Sequence, residues 1–112
     1  MADRAQHMAK STGADPSKEL RRRLGRWLKK RREDQALTQA DLANLLGLRY
    51  YSFVSQVENG LGRIPQDLYE AWAKALDLPV QDFAWTVLAH LEPGLYRLLR
   101  DQPPPSPEDP VT

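Results

Sequence analysis

From Leu20 to Leu91 the apolar residues recur every three or four positions, and every strong pattern is helical. Leu20, Leu24, Trp27 and Leu28 form one stripe on a segment otherwise crowded with Arg and Lys. Ser17 is expected to cap this first helix, which ends near Asp34, and Gly25 is expected to weaken it. In "LTQADLANLLG", Thr38 and Asp41 form a capping-box-like pair, with Asp in the place of Glu. Leu42, Leu45 and Leu46 make its inner face, and Gly47 stops it after about two turns. A second short helix is expected over about 50–59, closed by Gly60, with "GLGRIP" as a loop. Pro65 or Gln66 then opens a longer helix with Leu68, Trp72, Ala75 and Leu76 inward, broken between Asp77 and Pro79. A last helix from about Val80 carries Phe83, Val87, Leu88 and Leu91 on its apolar side. Pro93 and Gly94 interrupt it, and "LYRLLR" adds a terminal turn or two. No credible strand is present. The expectation is a compact all-α domain of five helices over 17–100.

The ends read differently. Residues 1–16 are polar, with Gly13 and Pro16, and are expected to form a disordered arm. Residues 101–112, "DQPPPSPEDPVT", hold five prolines and are expected to be a disordered tail.

Composition narrows the chemistry. The 112 residues suffice for one domain with one core. There is no cysteine, and His7 and His90 are far apart, so no metal site and no cofactor are expected. No apolar run is long enough for a membrane span and the first residues lack a secretory signal, which points to a cytoplasmic protein. The net charge of +1 conceals an asymmetry: nine of the sixteen basic residues fall between Lys18 and Arg32. Such a cluster suggests a polyanionic partner, whereas a merely solvated helix face is the plain alternative.

Two short helices meeting at Gly47 satisfy the requirement of a helix-turn-helix. On a wheel of the second, Tyr51, Ser52, Ser55 and Gln56 share one arc, and Tyr50, Phe53, Val54 and Val57 oppose them. An outer face of neutral donors and acceptors suits base edges in a major groove. No nucleophile–His pair, metal cluster or phosphate-cradling loop argues for an enzyme; "GLG" at 60–62 follows a helix and is no nucleotide fingerprint.

"LTQADLANLLGL", "VSQVENG" and the later Pro65 together resemble the Cro/repressor-type helix-turn-helix (Xre) family, over about residues 20–84. The resemblance implies a lambda-repressor-like fold and a dimeric regulator of transcription that binds double-stranded DNA near the nucleoid. It also implies roles for single residues. Ala43 is small where the two helices cross, Gln39 meets a phosphate at a helix start, and Arg32 pairs with Glu58. Arg63 touches the DNA backbone. Arg49, from its place in the turn rather than from the family, is expected to reach either a phosphate or a base.

The family normally runs one residue shorter between the turn glycine and the glutamate. Counting back from Glu58 puts base reading on Tyr51, Ser52 and Gln56, with Ser55 beside them. Counting forward from Gly47 shifts it to Tyr50 and Tyr51. The wheel favours the backward count and assigns Tyr50 to the core. Trp27, Trp72, Trp85 and Phe83 are expected in the core, and Leu95, Tyr96, Leu98 and Leu99 at a homodimer interface. An antitoxin-like module with a protein partner, or an activator, would use the same scaffold.

Overall fold

The computed structural model describes residues 16–101, so the expected arm and Pro-rich tail lie outside the described residues apart from Pro16 and Asp101. Six α-helices follow one another: α1 (Pro16–Asp34), α2 (Gln39–Leu45), α3 (Ser52–Glu58), α4 (Tyr69–Ala75), α5 (Val80–Leu91) and α6 (Pro93–Asp101). A 3-10 turn over Gln66–Leu68 leads into α4. No strand occurs among the described residues.

The long α1 packs on α5 along one flank and on α3 along another, while α2 bridges α3 and α4. Its stripe supplies Leu24 and Leu28 to a core completed by Leu42, Leu46, Val54, Val57, Trp72, Leu76, Phe83 and Val87. Each large side chain buried this fully stabilises the fold by about 1.5–3 kcal/mol relative to an exposed position. The aromatic groups meet edge-on or tilted. Phe53 approaches Trp72 at 6.4 Å, and Phe83 lies between Tyr69 at 5.8 Å and Trp27 at 6.4 Å.

The four helices α1 to α4 end by one device. A residue with positive φ follows the helix: Ala36, Gly47, Gly60 and Asp77. The next N–H, that of Leu37, Leu48, Leu61 or Leu78, reaches back to the carbonyl of Arg32, Ala43, Gln56 or Ala73. This satisfies carbonyls that a helix end would leave without partners, and it reverses the chain within three residues. Short connections between helices follow directly.

Several expectations need correction. The third helix begins at Ser52, and Tyr50 stands 68% exposed in the turn before it rather than in the core. Leu48 takes the inward place instead, packed against the core. Leu45 is exposed, because the buried arc of α2 runs through Leu42, Ala43 and Leu46. Trp85 faces the outer side of α5 and meets Tyr96 edge-on at 5.8 Å. α1 starts at Pro16, so Ser17 lies in its first turn; proline suits that opening position because its missing N–H would have no helical partner there. The residues after Glu92 make a nine-residue helix, α6, opened in the same way by Pro93.

Candidate nucleic-acid interface

α2 and α3 are set by their ends. Thr38 accepts a hydrogen bond from the Asp41 N–H at 3.0 Å, and the Asp41 carboxylate accepts one from the Thr38 N–H at 2.9 Å. This reciprocal cap satisfies orphan donors at the start of α2. The hydrogen bonds from the Thr38 backbone, and then from its side chain, hold the Asp41 carboxyl below the ordinary carboxylate range. The chain leaves α2 through Gly47, whose φ is positive, and Ala43 is buried in the core.

The connection Leu48–Tyr51 leads into α3, which presents Val54 and Val57 to the core. On its other side Ser52 and Gln56 are exposed, with Tyr51 57% exposed at the helix entrance. Ser55 is half-buried, its hydroxyl 3.5 Å from the Asn59 amide nitrogen. Arg49 and Tyr50 project together from the turn, the guanidinium carbon 5.8 Å from the ring centre.

The one charged residue of α3 is turned away from this surface. Glu58 is buried and accepts from Arg32 Nε at 2.8 Å, Arg32 Nη2 at 3.0 Å and Gln39 Nε2 at 3.0 Å. Arg32 Nη1 donates to the Leu37 carbonyl at 2.8 Å, so the guanidinium also braces the α1–α2 turn. The hydrogen bond to Glu58 raises the Arg32 pKa further, against the opposing effect of burial. Both carboxylate oxygens are thus engaged, and the buried group leaves no polar atom unmet. The outward surface of α3 therefore carries no formal charge. Gln39, at the start of α2, spends its side-chain amide on this network.

Two residues that hold α3 in place escaped the sequence reading. A β-carbon on Gly25 would lie 2.2 Å from the Glu58 carbonyl oxygen, so glycine is what lets α1 cross the end of α3. Arg21 Nε donates to the Gly60 carbonyl at 3.3 Å and secures the same crossing. An isolated glycine within an amphipathic helix is the sequence signal for such a close approach.

The remaining candidates fall around this surface. Arg63, in the loop after α3, forms an exposed ion pair with Glu92 at the α5–α6 junction. On α1, Glu19 draws Arg26 to 3.5 Å and Arg22 to 3.8 Å, and Asp34 draws Lys30 to 3.3 Å. Lys18, Arg23 and Lys29 have no acidic partner among the described residues. On α6, Leu95, Leu98 and Leu99 are exposed, whereas Tyr96 is half-buried against Trp85 and accepts a hydrogen bond from Arg100 at 2.8 Å. No cluster of metal-ligating side chains occurs among the described residues, and no helix there is long and apolar enough to cross a membrane.

A family model described as helix-turn-helix matches residues 28–83, half of the chain. A search of curated proteins finds no match. The matched span runs from the buried Leu28 through α2, α3 and α4 to Phe83, the elements that make up the core and the surface just described. The chain belongs to the Cro/repressor-type helix-turn-helix family and carries its DNA-binding domain, on a lambda-repressor-like fold.

Proposed function

Taking that family as the premise, we propose that the protein is a sequence-specific regulator of transcription, a dimeric repressor that reads an operator half-site in double-stranded DNA with α3. The observation that carries this reading is the outward face of α3. Ser52 and Gln56 are exposed, Tyr51 stands at the helix entrance, and the only charge of the helix is buried with Arg32. A surface helix that serves only solvation carries charged groups; neutral donors and acceptors are what discriminate base edges in a major groove. Gln56 has the geometry to engage an adenine through two hydrogen bonds, and Ser52 bonds either kind of base. Ser55, half-buried, contributes from the flank.

Arg49, Arg63 and the amide end of α2 at Gln39 serve the phosphates. Such contacts fix register on the duplex without reading sequence. Lys18, Arg23 and Lys29, without an acidic partner among the described residues, add a general attraction to a polyanion that weakens with salt. Dimerisation through Leu95, Tyr96, Leu98 and Leu99 pairs two α3 helices with half-sites about one DNA turn apart, ~34 Å. The working place of such a protein is the cytoplasm, on the nucleoid.

Selection of bound duplexes from a random pool tests the whole reading. The expected product is one palindromic motif. Against it, Gln56→Ala is expected to lose about 1–3 kcal/mol while binding to random DNA stays nearly the same. Equal losses on the motif and on random DNA would remove Gln56 from base reading. A pool without an enriched motif would remove sequence specificity altogether.

A further inference from the structure

Leu61 holds the same position after α3 that Leu48 holds after α2 and Leu78 after α4, yet its environment is the reverse. Each of these leucines donates its N–H to the carbonyl three residues before its helix's terminal cap: Leu48 to Ala43, Leu78 to Ala73, Leu61 to Gln56. In this type of helix end the leucine leans toward the residue whose carbonyl it meets. Ala43 and Ala73 are buried, so Leu48 and Leu78 are carried inward and pack on the core. Gln56 lies on the outer face of α3, so the same geometry carries Leu61 outward, where it is 73% exposed.

A single exposed leucine needs no explanation on most surfaces. This one stands on the surface proposed to read bases. Gly60 and Gly62 flank it, and Gly62 folds back so that its β-position lies 3.7 Å from the Gln56 β-carbon. The backbone of Leu61 and Gly62 thus lies against Gln56, and Leu61 adds an exposed apolar group there; Ser52 and Asn59 are exposed as well. It has no donor for a phosphate and no acceptor for a base amino group. The apolar group that a major groove displays is the C5 methyl of thymine.

We propose that Leu61 is a specificity-determining residue that packs on a thymine methyl next to the base pair read by Gln56. The assignment rests on the reading of α3 as the base-reading helix. It adds a second kind of contact to it: the amide of Gln56 selects by hydrogen bonding, and Leu61 selects by shape and burial. A half-site therefore holds an adenine and a thymine close together, in a fixed relation set by the distance from Gln56 to Leu61.

The test uses the duplex selected from a random pool by the full chain, with each thymine replaced in turn by deoxyuridine, which lacks only the methyl. For the unaltered protein, one thymine in each half-site is expected to show a loss of about fourfold, the transfer cost of one methyl group. In Leu61→Ala the thymine and uracil duplexes are expected to bind equally, and affinity for the thymine duplex to fall to the level of the uracil one. Because Leu61 supports no core contact, the thermal midpoint of this variant is expected to be unchanged. The proposal is overturned if no uracil substitution weakens the unaltered protein, or if the penalty persists in Leu61→Ala. A penalty that vanishes instead in Tyr51→Ala assigns the methyl to Tyr51 and also overturns it. These outcomes leave the DNA reading standing wherever Gln56→Ala still relaxes sequence preference. A pool that returns no motif overturns both together.

Discussion

A β-carbon on Gly25 would collide with the backbone of Glu58, and no rotamer change relieves a contact of 2.2 Å with a carbonyl oxygen. In an isolated helix, glycine to alanine stabilises by about 1 kcal/mol. Here the sign is expected to reverse. Gly25→Ala is expected to cost about 2–3 kcal/mol, as overpacking between two helices does, with the loss read from chemical denaturation. A gain in stability would show that α1 and α3 do not cross so closely. Ala36 presents the opposite case. It ends α1 with a φ of 57°, a conformation that disfavours any residue with a β-carbon. Ala36→Gly is expected to stabilise by about 0.5–1 kcal/mol, because relief of strain exceeds the entropy that glycine adds to the unfolded chain. A thermal midpoint below that of the unaltered protein would contradict it. A sequence pattern shows that position 25 is glycine but not what lies against it, so the propensity argument at Gly25 points to weakness where the packed structure shows a requirement.

Among elements, the Arg32–Glu58 pair joins α1, the turn before α2, and the end of α3, and Gln39 fastens α2 to the same carboxylate. Breaking such a buried pair leaves one charge without compensation. Arg32→Ala is expected to cost about 3–5 kcal/mol, whereas replacing both members by apolar residues, Arg32→Met with Glu58→Leu, is expected to cost much less than the two single losses combined. Additive losses would place the pair outside the interior. Arg63 and Glu92 also join two elements, the loop after α3 and the α5–α6 junction, but both are half-exposed and solvent screening leaves such a pair little weight in stability. The helices themselves were legible from apolar spacing, and so were most of their stops, because Gly47 and Gly60 are where a positive φ is needed. The start of α3 was not. An additional residue in the turn can be absorbed by lengthening the helix or the connection, and both keep Val54 and Val57 on one face. The structure begins the helix at Ser52, which leaves Tyr50 and Tyr51 outside it and Leu48 packed against the core.

At the scale of the whole molecule, α6 is the helix with the least to bury. Leu98 is exposed and Leu95 and Leu99 are about half exposed beside it, while Tyr96 packs edge-on against Trp85 of α5. The proposed homodimer uses this side. Leu98→Glu is expected to convert a dimer to a monomer in sedimentation equilibrium, to leave helix content unchanged, and to weaken binding to a palindromic site more than to a single half-site. A monomeric unaltered protein at micromolar concentration would end the proposal. The basic residues of α1 illustrate what a charge count conveys at this scale. Of the nine, Arg32 is structural, Arg21 holds the α1–α3 crossing, and Glu19 and Asp34 engage three more, so the cluster is smaller as a free surface than as a string of letters.

The class of fold, the order of the helices, most of their inner positions and the family are legible in the chain read as letters, Leu45 and Tyr50 being exceptions. Those properties are local: a period of 3.6, a capping pair and a glycine in a left-handed turn each act within a few residues of one another. Only helix packing and the chain reversals settle which tyrosines stand outside the core, why Gly25 is glycine, that Trp85 packs on Tyr96, and that Leu61 is exposed where Leu48 and Leu78 pack inward. Each of these depends on a neighbour brought close by helix packing or by a chain reversal, and a spacing along one helix carries no information about what the next helix places against it.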